Sequence, residues 1–190
     1  MSAPRRSTQG PSLRAVALLR GINVGKAKRV AMADLRAVVE GLGYRDVATL
    51  LASGNVAFTA AGGTAIEAAK RIEAALEKRL KLSSRVVGLS MAELGEIVEG
   101  NPLAKVATEP SRLLIAVWND PAVPKRLAEL GRAAAGGERF ELTARAAYFW
   151  CPEGILKSVL GESLVGRAGD GVTTRNAATM GKLLALARGA

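Results

Sequence analysis

The order of the predicted helices and strands is the feature of this sequence that most constrains its fold. Apolar runs of strand length alternate with segments whose apolar residues recur at helical spacing. In the first half of the chain the elements follow the order β-α-β-β-α-β, which is the split βαβ or ferredoxin-like order. The predicted strands lie at residues 13–19, 47–51, 56–60 and 85–89, and the helices at about 31–42 and 64–80.

Patterns typical of helix starts support this assignment. Thr64 with Glu67, and Ser90 with Glu93, match the capping box, in which two residues bond to each other's backbone N–H groups. In the second half, Asp120-Pro121 predicts an N-cap followed by proline at the first helical position.

A similar order of elements is predicted again in the second half. Its strands lie at residues 113–118, 140–142 and 147–150, and its helices after residue 120, at 155–164 and at 174–188. We therefore predict an α+β protein of two ferredoxin-like (split βαβ) modules with mixed or antiparallel sheets, the second module ending in a helix instead of a strand. The expected domains are a disordered tail at 1–12, a first module at 13–100, a linker at 101–111 and a second, related module at 112–190.

Composition excludes several kinds of chemistry. The chain has no histidine, which excludes Ser-His-Asp and Cys-His catalysis and disfavours a protein zinc site, so neither a metal nor a cofactor is expected. The single cysteine, Cys151, excludes an internal disulfide framework and is typical of a reducing cytoplasm. No apolar run approaches the roughly 20 residues that span a bilayer, so we expect a cytoplasmic protein with no membrane partner.

Positive charge is concentrated at the beginning of the chain. The formal net charge is +10, and no acidic residue precedes Asp34. Such asymmetry suggests a polyanionic partner or a phosphorylated ligand, and a basic, solvated tail is the alternative explanation. The basic residues before Asp34 are Arg5, Arg6, Arg14, Arg20, Lys26, Lys28 and Arg29.

One candidate anion site is the loop that follows the first predicted strand. The apolar run ends at Arg20, and a loop with glycines at both ends, residues 21–25, precedes three cations. Such a loop leaves backbone N–H groups free beside positive charge, which favours an anion. The loop is not a P-loop, because only three residues separate its glycines and Ala27 stands where a Ser or Thr would hold magnesium. A tight turn that needs glycine dihedrals is the alternative.

A second candidate is the stretch 173–182, which is predicted to open the last helix. Its hydroxyls and amide would cap the helix, but Arg175 and Lys182 near a helix N-terminus oppose the helix dipole unless an anion compensates them. We predict that the two stretches meet in space. The candidate ligand contacts are Arg20, Asn23, Lys28, Asn55, Arg175, Asn176 and Lys182.

No catalytic residue can be assigned, and whether the protein is an enzyme stays open. A base, if one acts, would have to be a lysine or a carboxylate such as Asp34. Phe58 is predicted to lie in the core instead of stacking on RNA bases, because no further exposed aromatics accompany it. Cys151 and Tyr148 are likewise predicted to be buried strand residues.

Several short motifs occur in one order along nearly the whole chain. They are residues 19–25 (Leu-Arg-Gly-Ile-Asn-Val-Gly), Met32-Ala33-Asp34-Leu35, Ser53-Gly54-Asn55-Val56, Asn101-Pro102, and Thr174-Arg175-Asn176 with Thr179 and Lys182-Leu183. With these motifs the chain resembles a bacterial family known as domain of unknown function 1697. The resemblance implies an α+β fold with two ferredoxin-like halves, and it implies no established activity, substrate or catalytic residue.

Three hypotheses for function follow. The first is a cleft between the modules that binds a phosphorylated or carboxylated small molecule. The second is an accessory protein that binds nucleic acid weakly and without sequence specificity through its basic surface. The third is a non-catalytic scaffold or interaction protein in which the motifs only maintain turns.

Overall fold

The computed structural model describes residues 12–23, 29–167, 169 and 171–189. The first half contains β1 (Leu13–Leu19), α1 (Met32–Glu40), β2 (Arg45–Leu50), β3 (Asn55–Ala60), α2 (Ala65–Leu80), β4 (Val86–Ser90) and α3 (Met91–Glu99). The second half contains β5 (Leu113–Trp118), α4 (Val123–Gly131), β6 (Arg139–Leu142), β7 (Ala146–Trp150), α5 (Val159–Arg167), β8 (Val172–Asn176) and α6 (Ala177–Gly189). Short 3-10 helices lie at Pro110–Arg112 and Ile155–Lys157.

The strands form two four-stranded sheets with the same arrangement. Their orders are β2-β3-β1-β4 and β6-β7-β5-β8, and all the strand pairs are antiparallel. The registers also match, because Leu19 pairs with Val86 in the first sheet and Trp118 pairs with Val172 in the second. The fold is therefore α+β with two related modules, and of the two sheet types predicted, the antiparallel one is present.

Each sheet is covered on both faces. In β1, Ala15, Ala17 and Leu19 face α1 and α2, whereas Val16 and Leu18 face a central cluster shared by both modules. Burial on both faces explains why β1 and β5 are nearly continuous apolar runs instead of alternating ones.

The central cluster joins the two modules into one core. It contains strand residues from both sheets together with side chains of α3 and α6, which pack against each other. A fully buried Leu or Ile side chain contributes about 1.5–3 kcal/mol relative to an exposed one, so residues such as Leu94, Ile97 and Leu183 hold the modules together. The segment predicted as a linker, residues 101–111, also contributes, since Leu103 and Ala107 are buried in this cluster.

The last helix begins later than predicted. Residues 172–176 form β8, which pairs with β5, and α6 begins only at Ala177. The β-branched Thr173 and Thr174 suit a strand, and Asn176 supplies the cap, since its Oδ1 accepts a hydrogen bond from the N–H of Thr179 at 2.8 Å. The expectation that the second module lacks a fourth strand is therefore wrong.

The other predicted helix starts have mixed outcomes. Both capping boxes, at Thr64 and Ser90, are confirmed, with the side-chain and backbone bonds in both directions. The cap predicted at Asp120-Pro121 is wrong, because α4 begins at Val123 and Asp120 Oδ1 instead accepts from the N–H of Ala122 within the preceding turn. Among the described residues, none of the helices combines the length and apolar character needed to cross a bilayer.

Candidate binding cleft between the two modules

A cleft of about 680 Å³ opens where the two modules meet. It lies between the end of β1, the β2–β3 turn, β8 and α5, so both sequence stretches predicted to carry a site contribute to it. Its lining consists of Leu19, Arg20, Gly21, Ile22, Ser53, Leu114, Ile155, Leu164, Val172, Thr173, Thr174, Arg175, Asn176 and Thr179.

Arg175 connects the modules at the wall of this cleft. Its Nη2 donates to the backbone carbonyls of Leu19 and Ser53, each at 2.7 Å, and its Nε donates to Asn55 Oδ1 at 2.6 Å. All three acceptors belong to the first module, whereas Arg175 lies on β8 of the second. The guanidinium therefore fixes the end of β1 and the β2–β3 turn to the second sheet.

The two remaining donors of this guanidinium are used within β8 itself. Nη1 donates to Thr173 Oγ1 at 3.1 Å and to the carbonyl of Thr174 at 2.7 Å. All five N–H donors of Arg175 thus have acceptors, which is the full capacity of an arginine.

The charge of Arg175 has no carboxylate partner among the described residues, because its five acceptors are neutral carbonyl, amide or hydroxyl oxygens. Burial lowers the pKa of Arg175 to about 10, which still leaves it charged at neutral pH. An uncompensated cation at a cleft wall attracts anions, by about 4 kcal/mol at 4 Å when the effective dielectric constant is about 20.

Arg20 is the second cation of the cleft. It is half-buried at the end of β1, and its Nη1 donates to the backbone carbonyl of Val172. Its carbonyl in turn accepts from Ser84 Oγ at 2.8 Å, so the residue is held at both ends. Arg20 and Arg175 therefore lie at one junction, as the sequence predicted for the two stretches.

The predicted asparagines have different positions. Asn176 lines the cleft and caps α6. Asn55 is fully buried behind Arg175, with its Nδ2 donating to the carbonyl of Leu50 and to Ser53 Oγ, so it supports the arginine instead of facing a ligand.

Asn23 lies outside the cleft, because its side chain closes the base of the loop that follows β1. Its Nδ2 donates to the carbonyls of Val30 and Ala52, and its Oδ1 accepts from the N–H of Val30 at 2.8 Å. Lys182 is exposed on α6 and does not line the cleft, and Lys28 lies outside the described residues.

The apolar part of the lining was not predicted. Leu114, Ile155 and Leu164 come from β5, the second 3-10 helix and α5, and they form a wall opposite the end of β1. Apolar residues in strands and helices predict burial, and no local pattern distinguishes those that border a cleft from those in the core.

The residues considered for other chemistry are buried. Phe58 and Cys151 are fully buried, and Tyr148 donates its hydroxyl to the carbonyl of Ile97 at 2.8 Å within the core. Burial raises the pKa of Tyr148 and of the Cys151 thiol, which disfavours the ionised form of each. Asp34 is exposed on α1, away from the cleft. The described residues contain no group of His, Cys, Asp and Glu arranged to hold a metal ion.

These features describe an α+β protein of two packed modules with a cationic, partly apolar cleft between them. The chain belongs to the family described as protein of unknown function (DUF1697), whose model matches residues 13–148. It is also similar to a solved structure, the conserved bacterial protein SP0830 from Streptococcus pneumoniae. That match has 21% sequence identity and a TM-score of 0.77, and it covers 93% of this chain and 99% of the other. This likeness shows the shared fold. No curated protein matches the chain.

Proposed function

We propose that the cleft between the two modules binds a small molecule that carries a phosphate or carboxylate group. The observation that carries this proposal is the half-buried guanidinium of Arg175, which lies at the cleft wall without a carboxylate partner among the described residues. Arg20 adds a second cation at the same place. A ligand anion would supply the negative charge that the surrounding protein groups do not.

The apolar wall suggests what else such a ligand contains. Ile22, Leu114, Ile155, Leu164 and Val172 line the cleft beside the two arginines. Binding sites for small molecules are commonly apolar with a few polar groups that fix orientation. We therefore expect a ligand with an anionic group at one end and an apolar body at the other.

The lining favours binding over catalysis. Among the described residues of the cleft there is no carboxylate, lysine or cysteine that could serve as a base or nucleophile. We accordingly assign Arg20 as the ligand contact, with Arg175 contributing its positive charge, and assign no catalytic residue.

Binding of nucleic acid is the alternative, and the fold gives it little support. Both faces of each sheet are covered by helices, and Phe58 is 0% exposed, so the described part of the first sheet offers no stacking surface. Any binding should depend on phosphate contacts alone and be weak, independent of sequence and strongly salt-dependent.

The test is a set of thermal melts and calorimetric titrations with inorganic phosphate and a panel of phosphorylated and carboxylated metabolites. We expect a member of the panel to raise the melting temperature more than sodium chloride does at equal ionic strength. Arg20→Gln should weaken that ligand about tenfold or more, because it removes a charge-assisted hydrogen bond. Arg36→Gln, which alters an exposed arginine on α1, should leave the affinity unchanged.

Two results would count against the proposal. One is a panel in which no compound stabilises the protein beyond the salt control. The other is an affinity that Arg20→Gln leaves as it is in the parent. Labelled single- and double-stranded oligonucleotides, titrated at two salt concentrations, form the second arm, and tight binding that survives raised salt would favour the nucleic-acid alternative.

The finer description of the fold is also a proposal. We infer that each module is a ferredoxin-like, split βαβ unit, supported by the element order and by a first strand that lies between the third and fourth strands. A crystal structure in which either sheet has a different strand order would refute this description.

A further inference from the structure

The contact that closes the cleft on one side has a counterpart on the other side of the junction. Arg20 follows β1 and donates to the carbonyl of Val172, the first residue of β8. Asn119 follows β5, and its Nδ2 donates to the carbonyl of Val86, the first residue of β4, at 3.1 Å. Because the two sheets have the same order and register, exchanging the modules converts one contact into the other.

A second cleft, of about 460 Å³, lies at this equivalent place. It is bounded by the end of β5, the beginning of β4, α2 and α4, so it too combines both modules. Its lining consists of Lys70, Glu73, Arg85, Val86, Val87, Asn119, Asp120, Arg126 and Gly171.

Charged residues make up most of this lining, unlike that of the first cleft. Both carboxylates already have partners within the protein, since Glu73 Oε1 accepts from the N–H of Val86 at 2.6 Å and Asp120 Oδ1 accepts from the N–H of Ala122 at 2.9 Å. Arg85 also lies 3.6 Å from Glu73. Glu73 thus pairs with Arg85, and the cleft lining has three cations against two carboxylates.

Arg126 is the cation of this cleft for which the described residues supply no acceptor. Its Nε is buried, and the guanidinium makes no hydrogen bond or ion pair with the part of the chain that the structure describes. A Cβ at Gly169 would lie 2.5 Å from its Nη1, and Gly169 has a φ of +77°, so the absence of a side chain there leaves room for the guanidinium. The half-buried guanidinium therefore occupies space left by Gly169, and the described residues supply no acceptor for its donors.

We propose that this second cleft binds a small hydrophilic oxyanion, with Arg126 as the main contact and Arg85 and Lys70 contributing charge. A planar guanidinium binds two oxygens of a phosphate or carboxylate at once, and Arg126 has donors that the described residues do not use. The ligand class differs from that of the first cleft because charged side chains from α2 stand here where α5 supplies an apolar wall there. The inference concerns a separate site and holds whether or not the first cleft binds a ligand.

The test is an NMR titration of the full chain with inorganic phosphate, sulfate and acetate, each at constant ionic strength. We expect the backbone amides of Asn119, Arg126 and Gly171 to shift along a saturable curve with at least one of these anions, and the anion that saturates identifies the preferred oxyanion. Arg126→Gln should weaken this response about tenfold or abolish it. Arg132→Gln, at an exposed arginine just after α4, should retain it.

The outcomes that overturn the inference are equally specific. Shifts that grow linearly with anion concentration indicate non-specific association alone, and a saturable curve that survives in Arg126→Gln indicates another site. Arg126→Lys keeps the charge but removes the planar guanidinium, and it serves as a milder variant if the glutamine variant does not fold. An unchanged affinity in Arg126→Lys would also count against a contact in which the guanidinium binds two oxygens. The amides of Thr174 and Asn176 report on the first cleft separately, so the two proposals can fail independently.

Discussion

Equivalent positions in the two modules carry a leucine in one and an arginine in the other. Leu89 on β4 pairs with Val16, and Arg175 on β8 pairs with Ile115, in the same register of two equivalent strands. Leu89 is fully buried in the central apolar cluster, whereas Arg175 is half-buried and makes five hydrogen bonds to neutral acceptors.

The third strands differ in a complementary way. Asn55 opens β3 opposite Leu18, and the equivalent residue of β7 is Ala146, opposite Val117. Asn55 accepts from Arg175, whereas Ala146 belongs to the central cluster together with Leu89. Arg175 and Asn55, which stand where the other module has Leu89 and Ala146, therefore meet each other. One side of the junction is held by the packing of Leu89 and Ala146, and the other side is held by hydrogen bonds to the charge of Arg175, which lines the first cleft.

Of the substitutions considered, replacing Leu89 by arginine should cause the largest loss of stability. The new guanidinium would be buried in the central cluster, where Ala146 stands in place of the asparagine that accepts from Arg175. We expect Leu89→Arg to lower the free energy of unfolding by about 5 kcal/mol or more, because a buried charge without acceptors is among the most destabilising changes known. Chemical denaturation measures this.

Leu156→Arg is the matched control for Leu89→Arg, since Leu156 is fully exposed and the same substitution there should change stability by less than about 0.5 kcal/mol. If Leu89→Arg proves as stable as the control, the first module can also accommodate a charge at this position, and the contrast between the two sides of the junction disappears.

The reverse substitution, Arg175→Leu, should destabilise the protein less than Leu89→Arg does, but by a measurable amount. It gives the second module the apolar residue of the first, but leaves Asn55 Oδ1 and the carbonyls of Leu19 and Ser53 without their donor. An unsatisfied buried acceptor costs about 1–3 kcal/mol, and such losses are not additive, so we expect a destabilisation of about 3–5 kcal/mol in urea denaturation. Arg132→Leu, at an exposed arginine, is the control.

A double-mutant cycle separates the hydrogen bonds from packing. If Arg175 and Asn55 act as a unit, Arg175→Leu combined with Asn55→Ala should destabilise by about 1–2 kcal/mol less than the sum of the single variants. Additive effects would mean that the two residues contribute independently and that the bond between them matters little.

The elements that could be predicted are those set by residues close in sequence, or by an apolar character that extends along the whole element. β1 and β5 have the predicted limits because both faces are buried, so nearly every position in each strand is apolar. The capping boxes at Thr64 and Ser90 involve residues only three apart, and such signals survive in any tertiary context.

The strand β8 could not be predicted because its conformation depends on pairing with a strand that is distant in the sequence. Thr173 and Thr174 suit a helix cap as well as a strand, and pairing with β5, about 60 residues away, decides between them. The sequence marks the charge of Arg175 as unusual, but the explanation by the helix dipole is wrong, because the residue lies in strand β8. Its acceptors come from turns of the other module that no spacing in the sequence reveals.

The smallest expected effect on the free energy of unfolding comes from removing the N-caps of α3 and α6, the helices that follow β4 and β8. Ser90 Oγ accepts from the N–H of Glu93, and the Glu93 carboxylate accepts from the N–H of Ser90 at 2.8 Å. Asn176 Oδ1 accepts from the N–H of Thr179, which has no carboxylate to return the bond. Ser90→Ala and Asn176→Ala should each lower the free energy of unfolding by about 1 kcal/mol, the usual contribution of a cap.

Equal values for the two cap variants, measured by thermal and urea denaturation, would show that the junctions differ at Arg175 and Asn55 and not at the helix starts. A loss well above about 2 kcal/mol for Asn176→Ala alone would contradict this. It would mean that Asn176, next in sequence to Arg175, also helps to hold the arginine in place, and that the polar side of the junction extends into α6.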